Sequence, residues 1–165
     1  MKLTVLTIAA LLTVSNQAVS REAIAPTSDS PMSIGCLGPG TIRPAKTDTQ
    51  LTKDLRLLTT VDRSPLQVRG FGEGRYFAKV GLAARGRISF KISSPNAHMT
   101  WQNSGQSRIF YSEIRGKCRD TTARWRASPG GFLIRSPSAC VTLIASQGNE
   151  APRSIQIAIG APCPH

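Results

Sequence analysis

Apolar and polar residues alternate in short segments over most of the chain beyond residue 65. In RISFKIS (87–93), Ile88, Phe90 and Ile92 occupy every second position, and three isoleucines do the same in SIQIAI (154–159). A period of two residues is that of a β-strand with one buried and one solvated face. The pattern therefore predicts an all-β fold built from antiparallel sheet.

Clusters of Gly, Pro, Ser and Asn separate these segments at the spacing typical of a β-sandwich or barrel. We predict strands in nine segments: LQVRGF, RYFAKVG, RISFKIS, HMTWQ, RIFYSEI, TARWRA, GFLIR, ACVTLIAS and RSIQIAIG. No internal repeat or heptad pattern accompanies them. The fold class we expect is a single antiparallel, jelly-roll-like β-sandwich.

The first 20 residues have the pattern of a cleaved secretory signal. Lys2 precedes an apolar run over residues 3–14, and Ala18 and Ser20 occupy the −3 and −1 positions of a cleavage site. The run is shorter than the roughly 20 residues that a membrane-spanning helix needs. We therefore expect a secreted or periplasmic protein, with a retained N-terminal anchor helix as the alternative.

Residues 21–46 contain four prolines and three glycines without an apolar period, which predicts an irregular N-terminal arm. Residues 47–165 are then a single β-sandwich domain. The segment DTQLTKDLRLLTTV (48–61) is ambiguous. Asp48 is a possible helix N-cap, whereas the β-branched residues at its end favour a strand.

Export also decides how the four cysteines are interpreted, because an oxidising compartment favours disulfides. Their spacing matches no zinc-binding pattern, so we predict two disulfides and no metal site. Four cysteines allow three connectivities. We favour Cys118 with Cys140 and Cys36 with Cys163, since these pairs would join nearby strands and restrain both termini.

The charge balance points to an anionic partner. The chain has 21 basic and 9 acidic residues, and removing the signal takes away one lysine, which leaves a net charge of +11. Such an excess favours binding to acidic glycans, lipopolysaccharide, phospholipid headgroups or nucleic acid, although it also serves solubility alone.

The densest basic segment is RGKCRDTTARWRASPG (115–130). We predict an anion-binding face made by its cations, since guanidinium groups bind phosphate, sulfate and carboxylate in a bidentate manner. If TARWRA is a strand, Trp125 lies opposite its neighbouring arginines and packs inward, which disfavours a base-stacking nucleic-acid surface. The predicted binding residues are Arg115, Lys117, Arg119, Arg124 and Arg126.

Two runs, VRGFGEGRYFAKVGLAARGRISFKISSPNAHMTWQ and ASPGGFLIRSPSACVTLIASQGNEAPRSIQIAIG, resemble the opening and the closing hairpin of the bacterial pre-peptidase C-terminal (PPC) type of β-sandwich. The resemblance covers residues 67–160 and implies a jelly-roll-like, non-catalytic module for binding or for supporting secretion. The chain departs from that family in its basic charge, in Cys118 and Cys140, and in lacking the acidic loop residues that would imply calcium.

Catalytic signatures are absent from the sequence, so we expect a binding protein without cofactor or metal. His98 and His165 are the only histidines. A basic ribonuclease using His98 with a lysine is the enzyme alternative. A copper site at His98 and Met99 is the other, although HMTW as a strand would place Met99 and Trp101 in the core.

Overall fold

The computed structural model describes residues 27–28, 30–34, 41–59, 65–101, 109–117 and 124–164, with the backbone alone of Ile34 and Lys117. These residues form sixteen strands and no helix. The described part of the chain therefore contains no helix long and apolar enough to cross a membrane. The strands are β1 (Thr27–Ser28), β2 (Met32–Ile34), β3 (Thr41–Ile42), β4 (Thr49–Thr52), β5 (Leu55–Leu57), β6 (Val68–Gly70), β7 (Tyr76–Lys79), β8 (Leu82–Ala84), β9 (Arg87–Ile92), β10 (Ala97–Trp101), β11 (Phe110–Tyr111), β12 (Glu113–Lys117), β13 (Trp125–Ser128), β14 (Gly130–Ile134), β15 (Ala139–Ser146) and β16 (Arg153–Ile159).

Three sheets contain all of these strands. Sheet I has the order β1-β11-β10-β14-β7-β6, sheet II the order β16-β15-β9-β12-β2, and sheet III the order β3-β13-β8-β5-β4. Nearly all pairs are antiparallel, and the two parallel pairs between named strands are β1 with β11 and β2 with β12. The all-β, mostly antiparallel prediction is confirmed.

The described parts of the N-terminal arm, residues 27–28, 30–34 and 41–46, contain more regular structure than the composition of the arm predicts. The short strands β1, β2 and β3 all lie within residues 21–46, and each forms an edge of a different sheet. Prolines and glycines interrupt the arm between these strands, so each strand is only two or three residues long and carries no readable apolar period. The ambiguous segment 48–61 also forms strands, since β4 and β5 are an antiparallel pair within it.

One hydrophobic core joins the inner faces of the three sheets. At its centre the fully buried Trp101 of sheet I packs edge-on against Phe90 of sheet II and Phe132 of sheet I, with ring centroids 5.5 and 5.3 Å apart. The indole Nε1–H of Trp101 donates a hydrogen bond to the carbonyl of Val80 at 2.9 Å. The fold is therefore sandwich-like, with large side chains from facing sheets in contact.

Alternation predicted the inner faces of several strands correctly. Ile88, Phe90 and Ile92 are buried along β9, and Ile157 and Ile159 are buried along β16. On β10, Met99 and Trp101 are fully buried while His98 and Thr100 are half-buried on the other face. The sequence missed β8, since Leu82, Ala83 and Ala84 are all buried and show no alternation.

The predicted disulfide pairing is wrong. Cys140 of β15 forms a disulfide with Cys163, with Cα atoms 5.3 Å apart, so Cys140 is not bonded to Cys118 nor Cys163 to Cys36. The reason is the β15–β16 pairing, in which Cys140 lies opposite Ala158, five residues before Cys163. The turn after β16 brings Cys163 back to its neighbouring strand. Cys36 and Cys118 lie outside the described residues.

Candidate anion-binding site

Two of the five predicted binding residues belong to β12, in sheet II. Arg115 is exposed, and its Nε donates a hydrogen bond to Oε1 of Glu113 at 2.5 Å within an ion pair. This hydrogen bond, reinforced by the charge of Glu113, raises the pKa of the Arg115 guanidinium. Like any arginine, Arg115 is a cation at physiological pH, and the neighbouring Glu113 partly neutralises its charge.

Sheet pairing places two further cations beside these residues. In the antiparallel β9–β12 pair, Lys91 lies opposite Glu113, Ser89 opposite Arg115, and Arg87 opposite Lys117. Directly opposite residues share a face of the sheet, and Arg87 and Lys91 are exposed. We call the outward positions of β9 and β12 the basic face; it comprises Arg87, Ser89, Lys91, Glu113, Arg115 and the strand position of Lys117.

Sequence reasoning missed Arg87 and Lys91, although the signal was present. The alternation in RISFKIS puts both residues on the side opposite the buried isoleucines and phenylalanine. What the alternation does not give is the strand partner. More than 20 residues separate Lys91 from Glu113, and only the sheet order brings their strands together.

Arg124 and Arg126 lie on or next to β13, in sheet III, and thus on another sheet from Arg115. Arg126 is opposite Ala84, and Ala84 is opposite Leu55, so this arginine lies on the face that carries buried core residues. Arg124 is exposed at the start of the strand. The predicted set is therefore divided between two sheets, and Arg119 lies outside the described residues.

Trp125 is not in the core, so its predicted inward position is wrong. Its side chain is half-buried on the outer face of sheet III. The guanidinium carbons of Arg85 and Arg56 lie 5.0 and 5.8 Å from its ring centroid, which is the geometry of cation–π contacts. Beneath them, Ala83 is fully buried although it is not part of the main core. The indole and the two guanidiniums thus cover the outer side of β8.

Hydrogen bonds fix both arginines around Trp125. Arg85 Nε donates to Asp54 Oδ1 at 2.5 Å, and the other carboxylate oxygen of Asp54 accepts a hydrogen bond from the amide of Gln147. Arg56 donates from Nη1 to the carbonyl of Ala45 at 3.0 Å. The ring therefore lies against side chains that are themselves held in place.

A cleft of about 430 Å³ opens beside Trp125. Ile42 lies directly opposite Trp125 in the β3–β13 pair and supplies a second apolar wall. The described residues that line the cleft are Thr41, Ile42, Arg43, Arg124 and Trp125. Two cations and an aromatic ring thus converge here, and none of these lining residues is acidic.

The groups named for the alternative functions do not converge. His98 and Met99 lie on opposite faces of β10, and Met99 is fully buried, so the two side chains do not face a common space. No group of three or more potential metal-binding side chains occurs within the described ranges. His165 lies outside them.

Comparison of the chain with protein families, curated proteins and solved structures found no match.

Proposed function

We propose that this is an exported, non-enzymatic binding protein whose basic face recognises anionic extracellular or envelope partners. Acidic glycans, lipopolysaccharide and phospholipid headgroups are the candidate ligands. The supporting observation is the β9–β12 pairing, which puts Arg87 and Lys91 next to Arg115 on one outward surface. Glu113 is the single acid in this array of cations, so the surface carries a net positive charge.

A flat array of cations suits an extended anionic partner. Exposed charges attract such a ligand over about 8–10 Å at physiological ionic strength, and each contact contributes little alone. Affinity then depends on several cations acting together. This is why the register, rather than any one arginine, supports the proposal.

The test reverses Arg87 and Lys91, the two exposed cations of β9. The double variant Arg87→Glu/Lys91→Glu is compared with wild type for elution from heparin and for sedimentation with phosphatidylglycerol vesicles. We expect elution at lower salt and roughly tenfold weaker vesicle binding, since two contacts of up to about 1 kcal/mol each are lost or made repulsive.

The matched control is Arg69→Glu/Lys79→Glu. It makes the same change in net charge at exposed positions of sheet I. If the two variants lose binding equally, total charge rather than the basic face governs the interaction, and the proposal fails. Retention on heparin without vesicle binding would identify a glycan as the ligand class, and the reverse a lipid.

Export through a cleaved signal over residues 1–20 and the jelly-roll form of a PPC-like sandwich are parts of the same proposal. The Cys140–Cys163 disulfide is compatible with an extracellular or periplasmic location. N-terminal sequencing of the protein recovered from its native host would test the signal. A mature chain that begins at Met1 would contradict it.

We also propose that the second disulfide joins Cys36 to Cys118. Along the parallel β2–β12 pair, Met32 lies opposite Ile114 and Ile34 opposite Gly116, a constant offset that also separates Cys36 from Cys118. Neighbouring strands are about 4.8 Å apart, and a disulfide usually joins Cα atoms separated by about 4.4–6.8 Å. The two thiols would lose two electrons and two protons to the disulfide of an oxidising partner protein, which is reduced to a dithiol by disulfide exchange.

Peptide mapping without reduction tests this pairing. We expect one cross-linked peptide containing residues 36 and 118 and a second containing residues 140 and 163. Alkylation of Cys36 and Cys118 in the unreduced protein would show that they are free thiols and would overturn the proposal.

A further inference from the structure

We infer that the cleft beside Trp125 binds a single unit of an acidic saccharide, a sugar ring that carries a carboxylate or sulfate group. This inference rests on the proposed binding of anionic partners, but it places specific recognition on sheet III, away from the basic face. Its volume of about 430 Å³ lies in the range of roughly 300–1,000 Å³ that small-molecule sites occupy. The cleft thus accommodates a short part of a glycan.

The walls of the cleft suit a sugar ring. Trp125 and Ile42 are directly opposite each other across β13 and β3 and provide carbon surface from two strands. A sugar ring has an apolar C–H face that packs on an aromatic side chain, and hydroxyl groups at its edge that need polar partners. Thr41, Arg43 and Arg124 are the polar residues that line the cleft.

The charge of the cleft selects for an acidic ring. Arg43 directly follows β3 and Arg124 directly precedes β13, and both are exposed and line the cleft. Their planar guanidiniums match the geometry of carboxylate and sulfate oxygens, which they bind in a bidentate manner. None of the described lining residues is acidic, so the described walls of the cleft carry a net positive charge.

Preorganisation is the third argument. Arg85 and Arg56 contact the ring of Trp125, and Asp54 and the Ala45 carbonyl hold those two arginines. A side chain that is already ordered loses little entropy on binding. The surrounding contacts therefore fix the stacking surface before a ligand arrives.

Fluorescence titration of the full chain tests the inference, because the chain has two tryptophans and Trp101 is fully buried. We expect trigalacturonate and a sulfated heparin disaccharide to change the emission saturably, and maltotriose, which is neutral, to leave it unchanged. The response should disappear in Trp125→Phe and persist in Trp101→Phe.

Calorimetry on variants then separates this site from the basic face. Arg43→Gln/Arg124→Gln should weaken trigalacturonate binding at least tenfold, and Arg124→Lys, which keeps the charge but loses the planar fork, should have a smaller effect. Arg87→Glu/Lys91→Glu should leave this affinity within twofold. Circular dichroism verifies that each variant retains its sheet structure.

Three results would overturn the inference. They are equal binding of the neutral trisaccharide, an unchanged affinity in the Arg43/Arg124 variant, and tighter binding of a mononucleotide such as AMP, which would identify a nucleotide site instead. Each leaves the heparin comparison between the basic-face variant and its sheet I control intact, so failure here is distinguishable from failure of the proposed function.

Discussion

The two tryptophans occupy strands of similar length but opposite environments. Trp101 has no exposed surface, packs against two phenylalanine rings and donates its indole hydrogen bond to Val80. Trp125 is half-buried and lies against the guanidiniums of Arg56 and Arg85. Trp101 is thus enclosed by the apolar core. Trp125, in contrast, covers the outer face of sheet III together with two half-buried arginines.

This difference predicts that the two rings contribute unequally to stability. Trp101→Ala should lower the free energy of unfolding by about 3–5 kcal/mol, because it leaves a large cavity and an unpaired carbonyl at Val80. Urea denaturation followed by circular dichroism measures the loss. Should that variant fail to fold, Trp101→Phe should still fold with a smaller loss. A loss below 1 kcal/mol in Trp101→Ala would contradict the central role of this ring.

Gly130 extends the comparison, because it lies where β14 passes closest to Trp101. A Cβ atom at Gly130 would lie 2.1 Å from the carbonyl oxygen of Thr100 and 2.4 Å from Cδ1 of Trp101. Gly130→Ala should therefore cost about 1–3 kcal/mol through overpacking. Gly70→Ala, where a Cβ would meet no atom within 4 Å, is the control and should be nearly neutral by urea denaturation. Equal effects would show that space around Trp101 is not limiting.

Asp54 holds one of the two arginines that contact the ring of Trp125. Its side chain is 17% exposed and holds both Arg85 and Gln147. Asp54→Ala should cost about 1 kcal/mol, since the ion pair is partly solvated but one hydrogen-bonded network is lost. Glu150→Ala is the control, because its ion pair with Lys53 is at least half exposed at both ends. Similar stability losses in the two variants would argue against a supporting network.

The smallest effect is expected from Trp125→Phe, about 0.5 kcal/mol, because the ring is near the surface. Its clearer consequence is spectroscopic. Iodide, an anion that nearby arginines attract, should quench wild-type emission and fail to quench Trp125→Phe. Trp101→Phe should remain quenchable. Quenching that persists in Trp125→Phe would mean that Trp101 is accessible.

Sequence periodicity predicted what depends on a single strand. It identified the buried faces of β9, β10 and β16, because each of these strands has one apolar and one polar side. It missed β8, whose alanines are covered on one side by the core and on the other by Trp125 and its arginines. It placed Trp125 wrongly for the same reason, since alternation says which residues share a face but not what covers that face.

The features that the sequence did not predict depend on pairing between strands that are far apart in the chain. The basic face depends on β9 lying beside β12, and the cleft on β3 lying beside β13. Neither strand pairing can be predicted from the local sequence, because both depend on the order of strands in the sheets. The disulfide of Cys140 failed as a prediction for the same reason, since β16 rather than a strand near Cys118 is its partner.

The N-terminal strands have a consequence for self-association. One stretch of chain, residues 27–42, supplies the terminal strand of all three sheets, next to β11, β12 and β13. Unpaired strand edges are templates on which further chains add. Proteolytic removal of this stretch would expose three such templates at once, and each could accept the same stretch from another molecule. The segment with the weakest pattern in the sequence thus covers one edge of each of the three sheets.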